Sequence, residues 1–315
     1  MGNSFPRKDS HLEMLKLRDI TLGDKAWMQP IYKASAFCSE EYNFSFNYMW
    51  QKILSYRVQE MDGFLIQKSD NSRPCYLYPP GSGNVKPVIE AMIKDAKDNE
   101  HGFLFYTVLA EQCKLLEVLF PGMFDFWPQT DYDEYIYDAK SLITLTGKKY
   151  HSKRNHINRF KTSYPDWQYE PITHQNMPEV IAMSEEWCKQ NTADGKKSLE
   201  QECRALYVAL NDYFGLGMDG GLIRVGGRVI AFSMGDRLTE DIYLTHIEKA
   251  FTEYHGAYAM INQQFSEHNA SGYTYINRED DSGDEGLRKA KLSYYPVMRT
   301  EKYAARLKGT NEWPT

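Results

Sequence analysis

Between Gly147 and Pro165 the chain carries six cations, Lys148, Lys149, Lys153, Arg154, Arg159 and Lys161, and no acid. Cations massed in this way suit a phosphate-bearing ligand, because charge-assisted hydrogen bonds to phosphate oxygens are strong. A helical projection puts Tyr150, Ile157, Phe160 and Tyr164 on one face and Lys149, Lys153 and His156 on another, so an apolar face would anchor the segment while the cations stay free. A solvated charged face is the plainer reading of any such run. The complete absence of acids, in a chain of net charge −6 whose remainder therefore carries −12, favours a ligand. Lys153, Arg154 and Asn155 are the expected substrate-binding residues.

Three further groups have chemistry-bearing side chains. His246 and Glu248 alternate on an expected strand, Ile242 to Lys249, and so share one face. Asn277, Arg278, Asp280 and Asp281 follow the end of another strand, and Arg288 and Lys291 lie three apart on the helix after it. Asp284 and Glu285 suit that helix's N-terminus. Tyr254, Gly256 and Ala257 form a turn that opens a helix, whose first N–H groups attract phosphate. The plain alternatives are an ion pair for Glu248 and a simple helix start for Gly256. The eight histidines are scattered without metal-ligand spacing, and neither a Ser-His-Asp nor a Cys-His pattern is visible.

The elements that must hold these residues alternate between strand and helix, the mark of an α/β (α+β) chain. In the second half, Tyr169 to Ile172 is read as a strand, followed by helices over Met177 to Lys189 and Leu199 to Phe214. A hairpin turning at Gly226-Gly227 joins Leu222 to Val225 with Val229 to Met234. The strand of His246 and Glu248 completes a meander. A helix over Gly256 to Asn269 buries Ala257, Met260, Ile261 and Phe265. Then come a strand (Tyr273 to Asn277), a helix (Asp284 to Tyr294) and a strand from Val297. The first half gives a strand over Met14 to Arg18, strands near Tyr56, Phe64, Cys75 and Phe103, and helices over Val85 to Lys97 and Glu111 to Leu119.

Similar tokens recur in the same order in both halves. Ile20-Thr21 answers Ile172-Thr173, Gly63-Phe64-Leu65-Ile66 answers Gly221-Leu222-Ile223, and His101-Gly102-Phe103 answers Ser271-Gly272-Tyr273. A shared order implies two related units. The expected division is 1–135 and 136–315, the second unit carrying the site.

The length of 315 residues and an apolar fraction of 42% exclude a disordered chain and allow two cores. No window approaches the roughly 20 apolar residues of a spanning helix, and Arg7 and Lys8 have no apolar stretch behind them, so the expectation is a cytoplasmic protein. Pro6 stands where a Met1-Gly2 myristoylation motif needs Ser or Thr. Five cysteines, Cys38, Cys75, Cys113, Cys188 and Cys203, without a C-x-x-C pair, read as reduced thiols.

The element order resembles that of the GNAT acyltransferase fold, twice over, and three blocks narrow the resemblance. They are Lys149 to Phe160, Ile247 to Tyr258, and Ile276 to Pro296 with its Gly286-Leu287-Arg288-Lys289-Ala290-Lys291 core. Together they resemble the proteins related to the C-terminal domain of phosphatidylglycerol lysyltransferase, over nearly the whole chain, and more distantly the Fem-type aminoacyltransferases. The resemblance implies two tandem GNAT-like domains, each a mixed, mainly antiparallel sheet flanked by helices. It implies transfer of an aminoacyl or acyl group from a phosphate-bearing donor such as aminoacyl-tRNA or acyl-CoA to an amine or hydroxyl, and direct transfer without a covalent enzyme intermediate fits the absence of a nucleophile motif.

The same resemblance makes Glu248, or His246 beside it, the general base. It makes Tyr254, Gly256 and Ala257 the pyrophosphate turn, although Glu253 and Tyr258 depart from the Q/R-x-x-G-x-G/A pattern of acetyl-CoA sites. Arg278, Arg288 and Lys291 would orient the substrate with Asn277 and Asp280. The implied partners are a phosphate-bearing small molecule or a tRNA acceptor end, with anionic lipid headgroups as a further contact. The alternatives are a phosphate-binding module without chemistry and an acetyl-CoA-dependent N-acetyltransferase.

Overall fold

The computed structural model describes residues 15–192 and 195–310. The Met1-Gly2 start and the first residue of the expected opening strand, Met14, lie outside them. The described remainder of that strand contributes an isolated bridge, Arg18 to Val58.

Two mixed, mainly antiparallel sheets flanked by helices make the chain α/β, as expected. The first sheet runs β1 (Tyr56–Met61), β2 (Phe64–Ser69), β3 (Cys75–Tyr76), β4 (Leu104–Leu109), β13 (Lys302–Leu307), β5 (Phe124–Pro128). The second runs β12 (Met298–Thr300), β6 (Glu134–Asp138), β11 (Tyr275–Asn277), β10 (Ile242–Ala250), β9 (Arg228–Arg237), β8 (Asp219–Val225), β7 (Gln168–Pro171). Among the described residues, only β3–β4 and β10–β11 pair in parallel.

The predicted meander forms as β8, β9 and β10, its Gly226-Gly227 turn taking φ of 57° and 77°, values that favour glycine. The last strand behaves differently from the sequence reading. It breaks at Glu301 into β12, on the second sheet, and β13, which inserts between β4 and β5 of the first. Alternating Tyr303, Ala305 and Leu307 mark β13 as a strand, but nothing local selects its partners.

Lys302, at the start of β13, helps fix that crossing. Its ammonium is fully buried and meets Glu134 at 2.6 Å, Glu41 at 2.8 Å and Glu40 at 3.4 Å. Burial alone would lower its pKa. The three carboxylates outweigh burial and hold the lysine well above its ordinary value. These three glutamates are the one group among the described residues with metal-ligand proximity, and the lysine supplies their cation.

The helix Phe44–Leu54 is capped by Asn43, whose Oδ1 accepts the Phe46 N–H at 3.0 Å. It packs on the helix Lys197–Asn211, so the apolar core of the second sheet includes Phe44 and Met49 from the first half.

The reading of five free thiols needs one correction. Cys188, on the helix Met177–Asn191, and Cys203, on Lys197–Asn211, are disulfide-bonded; Cys38, Cys75 and Cys113 are free. The connection between the two packed helices is short, so it returns the second cysteine beside the first.

Candidate functional site

The site begins where two parallel strands part. β10 and β11 pair only from Ile242 with Tyr275 to Leu244 with Asn277. β11 then ends, while β10 continues along β9 to Ala250 with a bulge at His246. Beyond the last shared pair, Arg278, which follows the end of β11, meets Glu248 of β10.

Arg278 Nη2 donates to Glu248 Oε1 at 2.9 Å, and Asn262 Nδ2 donates to Oε2 at 2.9 Å. Asn262 belongs to the helix Ala257–Asn269 behind the sheet. Arg278 and Glu248 keep only 12% and 13% of their side-chain surface, so this is a desolvated pair. Two atoms around it find no protein partner although buried: Arg278 Nη1, a donor, and Asn262 Oδ1, an acceptor.

Aromatic rings and one more cation complete the wall. Tyr294 and Tyr137 lie 5.0 and 5.6 Å from the Arg278 guanidinium. Lys153 Nζ stands 3.8 Å from the centre of the Tyr294 ring. Burial, and then the charge of Arg278, push this lysine down to about 8, with Glu248 opposing. A cation in that state, close to another and without a carboxylate of its own, is poised to gain charge when an anion arrives.

Lys153 comes from the expected basic helix, observed as His151–Ser163, which buries Ile157 and Phe160. None of the six cations between Gly147 and Pro165 joins an ion pair among the described residues. Their roles divide. Arg154 donates to the backbone carbonyls of Leu145 and Gly147, tying down the preceding turn. Asn155 is exposed and reaches His151 on its own helix. Lys161 covers Trp167.

The structure gathers Glu248, Arg278 and Lys153, and gives the other candidates different work. His246 is sealed, with Nδ1 on Glu279 Oε1 at 2.8 Å and Nε2 on Asp236 Oδ1 at 3.1 Å. Burial would lower its pKa, but Asp236 and Glu279 outweigh that and raise it to about 10. Both ring nitrogens therefore donate, and an imidazolium offers no base at neutral pH. Asp236 also accepts from Asn43 and Ser45, linking this charge system to the cap of the Phe44–Leu54 helix.

Lys291 is buried and donates to the carbonyls of Arg278, at 2.6 Å, and Asp280, which holds the 278–281 loop in shape. Asn277 donates to Glu134, and Asp280 caps the Ser282 N–H at 2.9 Å. Arg288 is half exposed and engaged by Asp281 and Asp131, each at 2.8 Å. These four support the loop carrying Arg278 without touching the Arg278–Glu248 pair's side chains.

Gly256 has φ of 91°, and a Cβ there would lie 2.4 Å from the His156 carbonyl oxygen. Its glycine is thus required by the close approach of the basic helix. Tyr254 packs against Tyr164 with the rings tilted and their centres 5.3 Å apart, and the Ala257 N–H returns to the Tyr254 carbonyl at 2.9 Å. The turn is occupied by packing on this side. Two surface concavities, of about 280 Å³ near Lys16, Arg18 and Trp27 and about 450 Å³ near Phe37, Glu111 and Leu115, share no residue with the site.

Sequence reasoning missed Asn262, Tyr137 and Tyr294. Asn262 was detectable as a polar residue beside Met260 and Ile261 on a face meant to be buried. Tyr294 sits at the tail of the third block. Tyr137 lies on β6, a strand the sequence reading left out.

Comparison with known proteins adds the relatives. The family described as phosphatidylglycerol lysyltransferase, C-terminal, matches residues 34–306. A conserved protein of unknown function from Bacteroides thetaiotaomicron has the same fold with a TM-score of 0.90 and 40% identity, over 94% of this chain and 100% of the other. The C-terminal domain assigned to lysylphosphatidylglycerol synthetase from Agrobacterium fabrum shares the fold at TM-score 0.67 and 13% identity, over 91% and 92% of the two chains. The L-PGS protein of Bacillus licheniformis does so at 0.63 and 17%, over 93% and 94%. An uncharacterized protein of Mycoplasmoides gallisepticum is 23% identical over 199 residues, 58% of this chain, and the match spans only 61% of that relative's length.

Proposed function

This chain belongs to the phosphatidylglycerol lysyltransferase C-terminal family, and from that premise we propose that it transfers an aminoacyl or acyl group from a phosphate-bearing donor to an amine or hydroxyl acceptor. The observation that carries the reading is the sealed pair Arg278–Glu248 with its two unsatisfied neighbours, Arg278 Nη1 and Asn262 Oδ1. A donor and an acceptor left unpaired in a dry site cost stability, and a ligand with complementary groups recovers it.

In this proposal Lys153 and Arg278 hold the anionic or developing oxyanionic part of the donor. Glu248, paired with Arg278, takes the acceptor's proton as the new acyl bond forms and the bond to the donor oxygen or sulfur breaks. The leaving group carries away the electron pair and is protonated in turn. Asn262 orients the acceptor through Oδ1. Tyr137 and Tyr294 keep water away from the cations.

Aminoacyl-tRNA is favoured over acetyl-CoA as the donor. The basic helix packs against the Gly256 turn, where an acetyl-CoA site of the resembled fold would hold pyrophosphate, and Glu253 and Tyr258 already depart from that pattern. The test is transfer of a labelled amino acid from charged tRNA to an amine or a hydroxyl-bearing lipid headgroup by the purified chain. Transfer lost in Arg278→Ala supports the reading. Absence of transfer with a raised melting temperature in acetyl-CoA would replace it with acetylation, and ligand binding without turnover of either donor would leave a binding module.

A further inference from the structure

His246 stands two residues before Glu248 on β10, and Glu279 directly follows Arg278. The bond between His246 Nδ1 and Glu279 Oε1, at 2.8 Å, therefore ties together the same two backbone segments as the Arg278–Glu248 bond, at 2.9 Å. One bridge would leave strand and loop free to pivot about it; two fix their spacing and their angle. Glu279 holds φ of 59°, a left-handed conformation that glutamate seldom adopts and that persists only where the surroundings impose it. Its N–H donates to Asn277 Oδ1 at 2.8 Å, its carbonyl accepts the Tyr135 N–H at 3.2 Å, and its carboxylate is held by His246.

Behind His246 the bridging continues into the first half of the chain. Asp236, on β9, accepts from His246 Nε2 at 3.1 Å, from Asn43 Nδ2 at 2.7 Å and from the Ser45 hydroxyl. Asn43 caps the helix Phe44–Leu54, and Ser45 lies in its first turn. The side chain of His246 is fully buried, as is Ser45, and a buried polar series whose members are paired is rigid. Neither Asn43 nor Ser45 bonds to the side chain of Arg278 or Glu248 among the described residues. Their hold on that pair runs through Asp236, His246 and Glu279.

We propose that Ser45 and Asn43 are positioning residues for the transfer reaction, setting the placement of Arg278 against Glu248 through Asp236, His246 and Glu279; this rests on the reading of Glu248 as the base and Arg278 as the group that holds the donor. A site of this kind works only while its members keep their mutual geometry, and residues behind it supply that geometry. The first half of the chain thereby takes part in chemistry performed by side chains of the second.

The experiment compares Ser45→Ala, Glu279→Gly and Glu279→Gln in the full chain, by transfer of a labelled amino acid from charged tRNA. Glu279→Gly removes the carboxylate but suits the backbone at that position, and should lower kcat by on the order of a hundredfold, the loss that accompanies a misplacement of about 1 Å. KM for the donor should change less. Ser45→Ala should lower kcat in the same direction by a smaller factor, with Asp236→Asn as the replacement if it does not fold by circular dichroism. Glu279→Gln, which keeps an acceptor for His246, should retain most of the transfer. Val88→Ala, in the core of the first sheet, should lower the melting temperature and leave kcat unchanged.

A second readout needs no turnover. Lys153 titrates near 8 partly because of Arg278, so if Arg278 moves away its midpoint rises. Lysine ε-carbon chemical shifts followed against pH, with Lys153→Arg assigning the resonance, should show that rise in Glu279→Gly and Ser45→Ala but not in Glu279→Gln. Should the wild type transfer nothing, the proposed function fails and the midpoint alone decides the positioning role. A midpoint unmoved in Ser45→Ala and in Asp236→Asn, or a kcat loss in Glu279→Gly that Ser45→Ala does not share, overturns the proposal.

Discussion

Arg278 donates to Glu248 at 2.9 Å beyond the point where β10 and β11 stop pairing, and both side chains are almost entirely withdrawn from solvent. The two come from strand ends about thirty residues apart in the chain. The separation of a parallel pair after three residues is what lets their side chains meet instead of their backbones.

Removing one partner should therefore be worse than removing both. Arg278→Ala leaves the Glu248 carboxylate buried with only Asn262, and should cost about 3–5 kcal/mol in chemical denaturation. The double variant Arg278→Met with Glu248→Met should recover much of that stability while abolishing transfer. Glu248→Gln, which preserves shape and most hydrogen bonds, should fold well and lose transfer by on the order of a hundredfold or more. Equal destabilisation by the single and double changes would refute the pairing argument.

Lys153 sets the pH dependence of donor binding. Its burial beside Arg278 lowers its pKa to about 8 in the free protein, so above that pH the empty site loses a positive charge. A bound anion favours the charged form and raises the pKa again. Affinity for an anionic donor should then be constant below about pH 7 and fall as pH rises through 8, with proton uptake on binding. Calorimetry in buffers of different ionisation enthalpy measures that uptake, and Lys153→Arg should remove both the uptake and the pH dependence near 8.

His246 acts on stability in a different window. Its folded value is raised from 6.5 to about 10 by Asp236 and Glu279 acting against burial. A raised folded value means the folded state binds the proton more tightly, so the contribution is complete below pH 6.5 and is lost as pH rises through 10. The melting temperature should decline across that interval, and His246→Gln should flatten the decline while lowering stability at pH 6. A melting temperature that rises from pH 7 to 10 only in the wild type would contradict the assignment.

How much of this was legible depended on whether the signal was local. The Gly226-Gly227 hairpin, the helix over Ala257–Asn269 and the basic helix follow from turn chemistry and periodicity. β6 did not emerge, because Tyr135, Ile136 and Tyr137 form a buried apolar run without alternation. The crossing of β13 to the first sheet rests on Lys302 finding Glu40, Glu41 and Glu134, residues more than 160 positions away. In the site, residue types pointed to Glu248, Arg278 and Lys153. Spacing alone could not separate them from Arg288 and Lys291, which have similar chemistry but hold the loop from outside.

Cys188 and Cys203 give the last prediction, since their bond closes a loop of 15 residues between two packed helices. Cross-linking a loop of that size removes unfolded-state entropy worth about 3 kcal/mol. Cys188→Ser with Cys203→Ser should lower stability by up to that amount without moving Lys249, which sits over Trp187 at 4.0 Å and pairs with Glu202 on the same two helices. Thiol titration of the denatured protein should find three reactive cysteines before reduction and five after it, following the free and bonded sets. Five before reduction would mean the two sulfurs lie adjacent but unbonded, and the double variant should then be close to neutral.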